Sequence, residues 1–595
     1  MIERMTKYSF ILLNGTQDAL LEDLQQLGLV DITRSDKAVD EKTRQLLTEV
    51  DLTNGLIQGL EKAVVPEGTE PEAIDGDIVR LAGGMLMRYT DDREEIRTLE
   101  KELEGLAHWG SFDPEILQKL EAAGVPVHFH ILPQKAFQAA WEEEYALTVV
   151  STDKTTCWFV VAGEDPLPGQ VPTPGLDKQA KEKELAEKKA HYARVLSRIA
   201  GAQARLDELK RHKDETLSAL DLHLANIAAV PAAEDTLVTL EGYAPTSQDA
   251  TVCEALDRAG VFYLKEEAVK EDNPPISFRN NWFTRQFEVL TDMYGRPAYD
   301  EFDPTPILGP FFLLFFAMCM GDAGYGLLLM LIGWLLQRKP GSSMARLGPL
   351  VVMLGVGTFV VGIVLHTFFG INLYTAGWVP DWLKSCMISG SIAGYDAQMV
   401  LAIGVGVFHI CLAMVVKALC YTSRYGFSKC ISTWGWTLLI VGAVITGGLA
   451  ILGVIDMPVV KAILIVLGIV SGVSIFLLND LHRNPLLNVG AGLWETYNTV
   501  TGLMGDVLSY LRLYALGLAG GMLGGTFNTL AGMTLGIPVP GLNFLLFAVI
   551  LLIGHALNLA LSCLGAFVHP LRLTFVEYFK NSGYEGSGRT YHPLK

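Results

Sequence analysis

The sequence predicts a two-part chain: cytoplasmic α+β lobes joined by a long antiparallel coiled-coil hairpin, then an all-α polytopic membrane domain of about eight passes with two long tilted C-terminal helices. Three observations predict it. Half of the 595 residues are hydrophobic and the mean hydropathy is +0.31, too apolar for an ordinary soluble protein, yet the formal net charge of -19 belongs to one. The two descriptions separate along the chain, which is charged and loop-broken to about residue 305 and then apolar as far as a polar tail near Lys580. Finally, Arg512 stands in the run SYLRLYALGLA (509–519), deep inside a glycine-rich apolar stretch long enough to cross a bilayer.

In the first part, residues 1–305, the start MIERMTKYSF has no apolar core of signal-peptide type, so this half is expected to stay in the cytoplasm. Tyr8–Leu13 alternates as a strand, and Asp18–Leu27 reads as an amphipathic helix before a second short apolar run. Strand-like runs recur at Val127–Leu132, Leu147–Val150, Cys157–Val161, Thr236–Glu241 and Val261–Leu264. They place α+β lobes near 1–35, 125–165 and 230–275.

Between the lobes lie two helical arms, about 36–110 and 178–228. Tyr192, Val195, Ile199, Ala202, Leu206 and Leu209 recur at alternating intervals of three and four, and the spacing resumes one residue out of phase at Leu217, Leu220, Leu224 and Ile227. Leu46, Val50, Thr53, Ile57 and Leu60, then Ile96, Leu99, Leu103 and Leu106, keep the same spacing, interrupted by the Pro66–Pro71 loop and Gly83-Gly84. Two such arms returning on one another make a hairpin, and Lys178 to Ile227 as continuous helix measures roughly 75 Å. A rod of that length with lobes suits a spacer better than a domain that only stabilises itself.

The second part, residues 306–595, has apolar stretches at about 308–337, 347–371, 397–421, 434–455, 457–478, 488–531 and 541–567. Basic residues mark the cytoplasmic side of such spans. They fall at Arg338, Lys339 and Arg346, at Lys417, Arg424 and Lys429, around Arg483, and in the tail at Lys580, Arg589 and Lys595, whereas the connections 372–396 and 532–540 hold only Lys384. That alternation, with the first half and the C-terminus cytoplasmic, requires 308–337 to enter and return as two short passes, bending at MGDAGYG (320–326) with polar Asp322 at the turn. A single tilted first span is the alternative, and it misplaces three basic residues.

The stretch from Gly490 to Met533 is roughly 66 Å if helical, so it tilts or projects. A guanidinium at membrane depth costs several kcal/mol and calls for a partner charge or a water-filled cavity. Arg512 is more than a dozen residues from either end of its stretch, too far to snorkel; a structural ion pair is the competing explanation. On a 100° wheel, Glu495, Asn498, Thr499, Gly502, Asp506 and Ser509 share one face leading toward Arg512, as the wall of an aqueous path would. For Glu495, solvation of a helix end explains its charge equally well. The last pass carries His555, Asn558, Ser562 and His569 on a common face, then Arg572, with His555 toward the outside and His569 and Arg572 toward the cytoplasm; these would line a second path, the alternative for each histidine, and the commoner one, being a satisfied packing residue. The glycines of GLAGGMLGG (517–525) allow close helix approach.

The eight cysteines are scattered without a CxxC pair, which suggests neither a disulfide framework nor a metal site. The acidic balance argues against a nucleic-acid partner. No GxxxxGK[ST] loop occurs, so no nucleotide site and no cofactor is expected. No carboxylate of the apolar passes sits beside Arg512 on its own face, so its counter-charge is expected from another polypeptide.

LEGYAP (240–245), NPPISFRNN (273–281), FEVLTDMYGRPAYDEFDPTP (287–306) running into FFLLFFAMCMGDAGYGLLL (311–329), SYLRLYALGLA and LGAFVHPLRLTFVEYFKNSGYEGSGRTYHPL (564–594) together resemble the a/I subunit of V-type (V/A-type) rotary ATPases, in the compact prokaryotic form. The resemblance covers essentially the whole chain. It implies a non-catalytic stator component of a prokaryotic plasma membrane, whose cytoplasmic arm joins the E and G subunits of the peripheral stalks, near the C/d subunit of the central stalk. Its membrane domain would face a rotating ring of c/K proteolipids carrying H+ or Na+. Arg512 looks like the family's essential arginine and Arg572 like its second; Pro570, between His569 and Arg572, is a candidate helix kink. The rival classes are a stand-alone secondary transporter, for which no inverted repeat is visible, and a membrane-anchored coiled-coil scaffold, which needs no buried arginine.

Overall fold

The computed structural model describes residues 2–594 apart from 35–39, 67, 110–113, 139, 154, 164–166, 173–177, 233–235, 339–344, 346, 378, 393, 479–484, 537 and 539–540. Lys339, Arg346, Arg483 and Lys595, which helped to orient the spans, lie outside the described residues. In chain order the first half forms β1 (Met5–Leu13), α1 (Gln17–Leu27), β2 (Asp31–Ile32), α2 (Glu41–Lys62), α3 (Ile78–Ala107), β3 (Val127–Pro133), β4 (Leu147–Thr152), β5 (Thr156–Ala162), β6 (Gln170–Val171), α4 (Lys178–Ala204), α5 (Leu206–Ile227), β7 (Leu237–Pro245), α6 (Asp249–Ala259) and β8 (Phe262–Glu267). Two compact units result, and their division does not fall at residue 305. One holds 1–14, 23–32 and 232–593, the other 15–22, 33–231 and 594–595.

In the first unit, β1 is the central strand because its alternation buries Tyr8, Phe10 and Leu12 on one face. It pairs antiparallel with β7 (Phe10 opposite Leu240) and with β8 (Ser9 opposite Leu264), in the order β2-β7-β1-β8. The regions 1–35 and 230–275 therefore share a single sheet. Gly242 has to lack a side chain here: a Cβ would come within 2.8 Å of Val30 and 2.9 Å of Ile32. The C-terminal tail belongs to the same unit. Arg589–Thr590 pairs in parallel with Pro275–Ile276, and the Tyr591 hydroxyl donates to the Leu29 carbonyl.

In the second unit, α2 packs on α5 and α3 on α4. Cross-helix ion pairs run in opposite directions along the two chains: Glu102 with Lys181, Asp92 with His191 (2.7 Å), Glu61 with Lys210 (3.0 Å) and Asp40 with His223 (2.9 Å), so the pairs are antiparallel. Each pair has one partner more than two-fifths exposed and contributes little energy, and the buried row Ile57, Leu60, Ala82, Ile199, Ala202 and Leu209 supplies the cohesion. The arm read as continuous from Lys178 to Ile227 is broken at Arg205, whose guanidinium donates to the carbonyls of Ile74 (2.8 Å) and Gly76 (3.1 Å). That capture of the loop before α3 accounts for the interruption. A four-stranded sheet, β4-β5-β3-β6, forms the remaining lobe.

The apolar half begins with α7 (Thr305–Met320), α8 (Ala323–Gln337) and α9 (Gly348–Val364), followed by α10 (Ala397–Tyr425), α11 (Ile431–Ile451), α12 (Met457–Phe476), α13 (Pro485–Ser509), α14 (Leu511–Thr534) and α15 (Leu542–Arg572). Among the described residues, five runs are long and apolar enough to cross a membrane: α10, α11, α12, α13 with α14 as Leu486–Thr534, and α15 extended as Leu542–Ser582. The helices α7, α8 and α9, of 16, 15 and 17 residues, fall short of the ~20 that a perpendicular crossing needs. Over 308–337, where two short passes are expected from sequence, the structure has the two short helices α7 and α8, and the runs that meet the length of a crossing among the described residues number five, not eight.

Asp322 explains the break between them. Its carboxylate, 1% exposed, accepts from the backbone N–H of Gly324 (2.8 Å) and Tyr325 (3.2 Å), capping α8, and from Phe369 (2.8 Å) and Gly370 (2.7 Å) in the turn after α9. Gly370, at φ +71, sits against the backbone of Gly524 and Gly525, and Gly517 faces the Met318 carbonyl at 2.6 Å from where a Cβ would stand. The glycines of α14 thereby admit both turns to its surface.

Two expected helix features differ. The stretch 490–533 is not one uniform helix: at Tyr510 the bonding tightens, with Tyr510 N–H donating to the Val507 carbonyl and Leu513 N–H to the Tyr510 carbonyl. Tyr510 is fully buried, its ring on Gly406 of α10 and its hydroxyl 3.0 Å from His409 Nδ1. And α15 continues through Pro570, the irregularity coming afterwards as a π-helical turn, Leu573–Tyr578.

Candidate functional site

Arg512 opens α14 just past the tightened turn. It is half-buried, its Nη1 is buried with no hydrogen-bond partner, and among the described residues it makes no ion pair. Of the two explanations weighed for it, pairing within its own chain is therefore not what the geometry provides. His569 of α15 is near enough to feel both Arg512 and Arg572, and its buried Nδ1 also lacks a partner. Arg572 is exposed, one turn beyond His569.

On the α13 side of Arg512 is a cavity of about 260 Å³. Glu495, Asn498, Thr499, Gly502 and Asp506 line one wall, the helical period of the stripe placing them there, and Lys417, Lys580 and Asn581 line the others. Asp506, 8% exposed, accepts from Asn581 Nδ2 at 2.8 Å and from Lys580 Nζ at 3.5 Å. Ser509, one turn nearer Arg512, donates to the Gly505 carbonyl and reaches the carboxyl of Glu577. Glu577 is 2% exposed with Oε2 unpartnered. Sequence reasoning missed it. Its one signal was an acid five residues after Arg572 in an apolar run, and a regular wheel would not have aligned it, because the π-helical turn advances the phase.

On the other side, a cavity of about 340 Å³ abuts α14 at Leu513, Tyr514 and Gly517. Its polar groups are His366, Asn372, Asp396 and Gln398, from the end of α9 and the start of α10, with Tyr514 Oη donating to Asp396 Oδ2 at 3.3 Å. None of these was singled out from sequence, since they lie in connections and meet α14 only through the fold.

His555, Asn558 and Ser562, expected on a second path, do not line that cavity. They are bonded to one another and to neighbouring helices. Tyr325 Oη lies 2.7 Å from His555 Nδ1, His555 Nε2 lies 3.0 Å from Asn528 Oδ1, and Asn558 Nδ2 donates to Tyr325 Oη (2.8 Å) and to the Gly520 carbonyl (2.9 Å). Ser562 donates to Asn558 Oδ1 at 3.3 Å. This bonding is satisfied by a neutral imidazole with its proton on Nε2. Among the described residues no cluster of side chains could hold a metal ion.

Comparison with known proteins gives a family. Residues 178–373 match the model of the V-type ATPase 116 kDa subunit family. The A-type ATP synthase subunit I of Methanocaldococcus jannaschii is 31% identical over 359 residues, covering 56% of this chain and 50% of that protein. That of Pyrococcus horikoshii is 30% identical over 428 residues, covering 70% and 61%. The matched part thus spans half to three-fifths of these archaeal relatives. The V-type ATP synthase subunit I 1 of Treponema pallidum is 25% identical over 650 aligned positions, covering 100% of both chains. With these matches and, among the described residues, five runs able to cross a membrane, the chain is similar to subunit I of A- and V-type ATP synthases and, over residues 178–373, to the V-type ATPase 116 kDa subunit family.

Proposed function

We propose that this chain is the stator of a rotary ATPase, forming two ion half-channels that meet at Arg512. The observation that carries it is the half-buried Arg512, its Nη1 buried without a hydrogen-bond partner, at the start of α14 between a cavity walled by Asp506 of α13 and one walled by Asp396. A carboxylic acid on a neighbouring c/K ring crosses lipid only when neutral, because a bare charge there is strongly disfavoured. Opposite Arg512 the ionised form is stabilised, so the acid releases its ion into one half-channel and reloads from the other as the ring turns. The fixed positive charge repels a cation passing directly between the two paths. The α13 cavity, with Glu495, Asp506, Ser509 and Glu577, serves as the cytoplasmic path; His569 and Arg572 flank the meeting point. His555, Asn558 and Ser562 hold α15 against α14. The helices of the second unit connect to the peripheral stalks, with the central stalk nearby.

In the assembled, reconstituted complex, Arg512→Ala and Arg512→Gln abolish ATP-driven acidification or Na+ uptake while the complex still assembles. Arg512→Lys also fails in large part, because an ammonium lacks the planar fork. Normal pumping by Arg512→Ala would falsify the assignment.

A further inference from the structure

An apolar groove of about 810 Å³ lies between α7 and α9, and neither Arg512 nor any residue lining the two cavities beside it contributes to its walls. Leu313, Leu314 and Ala317 form one wall, and Pro349 to Val361 the other. Pro349 to Val361 rises about 18 Å as helix. That is close to one leaflet of hydrocarbon, about half of a 30 Å core. Val356 and Val360 are 43% and 54% exposed along it.

The mouth has a different chemistry. Trp282, 73% exposed, stands there with Gln337 at the end of α8. Arg279 and Arg285 flank Trp282 in the chain, and Arg338 follows Gln337 with its guanidinium 3.7 Å from the Trp334 ring centre. All three arginines are exposed, and among the described residues none is in an ion pair, although Arg285 acts at longer range on Glu288, which Asn280 holds at 3.0 Å. Tryptophan and arginine in this combination characterise the membrane–water boundary. An apolar slot about one leaflet deep, with Arg279 and Arg285 within three residues of Trp282 and Arg338 next to Gln337 in the chain, matches one chemical shape, an acyl chain below an anionic headgroup.

We infer that this groove is a binding site for an anionic phospholipid of the cytoplasmic leaflet, its acyl chain between α7 and α9 and its phosphate among Arg279, Arg285 and Arg338. The inference rests on the membrane placement of α7–α9 and not on ion translocation by Arg512. Such a lipid would fix the short pair α7 and α8, each below the ~20 residues of a perpendicular crossing, against α9.

Native mass spectrometry of the full chain in detergent tests it, with dioleoyl phosphatidylglycerol and dioleoyl phosphatidylcholine as probes. The expected result is one phosphatidylglycerol retained under activation that strips phosphatidylcholine. Val356→Trp removes the adduct by filling the slot, and Arg285→Glu and Arg338→Glu each weaken it about fivefold or more. Equal retention of the two lipids, or phosphatidylglycerol binding unchanged by all three substitutions, overturns the site and leaves ordinary surface lipid. Another protein seated over Val356 and Val360 in the purified complex overturns it too. The headgroup comparison uses the unaltered chain, so misfolding of a variant does not blunt it, and a pumping defect at Arg512 has no bearing on it.

Discussion

The Asn581 side-chain amide donates to Asp506 Oδ2 over 2.8 Å and to the Glu577 carbonyl over 2.6 Å, tying the end of the last helix to the polar wall of α13. Both acids of that corner are nearly out of water, Asp506 at 8% and Glu577 at 2% exposure. If they carry ions toward Arg512, removing either charge slows transfer without unfolding the chain. Asp506→Asn and Glu577→Gln are each expected to lower ion-coupled turnover by roughly tenfold, about 1.4 kcal/mol on the barrier. Proton or Na+ uptake into vesicles, with complex assembly followed by size-exclusion chromatography, gives the answer; unchanged uptake in both variants removes this corner from the path.

The turn before Arg512 depends on Tyr510 and Gly406. A side chain at 406 would overlap the Tyr510 ring, so Gly406→Leu is expected to displace α14 from α10 and cost about 1–3 kcal/mol. Tyr510→Phe keeps the ring and loses only its bond to His409, about 1 kcal/mol. Thermal unfolding in detergent should rank the two in that order.

Asp322 acts as a backbone clasp, not as an ion carrier. Asp322→Ala leaves N–H groups at Gly324, Phe369 and Gly370 unpaired and is expected to cost at least about 3 kcal/mol. The variant should lose folded protein in detergent. Full stability with loss of transport alone would instead make Asp322 a channel residue.

A pH dependence follows at the start of α2. Hydrogen bonds from Thr43, with His223 beside it, hold the Asp40 carboxyl down to about 2. A carboxyl lowered on folding stabilises above its ordinary value near 4, and that contribution disappears as pH falls through about 2. Protection against amide exchange in the first turn of α2, taken relative to the intrinsic rate at each pH, should therefore fall between about pH 4 and pH 2. Asp40→Asn, which still caps the helix, should remove that pH dependence.

How far the sequence reached can be judged residue by residue. Strand Tyr8–Leu13 was legible because alternation is local, but that its partners are Leu237–Pro245 and Phe262–Glu267 was not, since nothing in a strand names a partner more than two hundred residues away. The six-residue stripe of α13 was legible for the same reason as the strand, through its period. Glu577 was not, because a π-helical turn alters the period just where it matters. Asp396 and His366 stayed hidden as ordinary loop residues until two turns were seen to close on α14.

By itself, then, the sequence determined which segments are apolar, which helix faces are polar, and that a permanent cation stands within an apolar helix; these follow from composition and the 3.6-residue repeat. The tertiary structure decided what surrounds that cation: a tightened turn at Tyr510, a carboxyl brought in by an irregular helix, and a second cavity assembled from separate connections. Those are long-range packing relations, set by which surfaces fit together, and no local pattern encodes them.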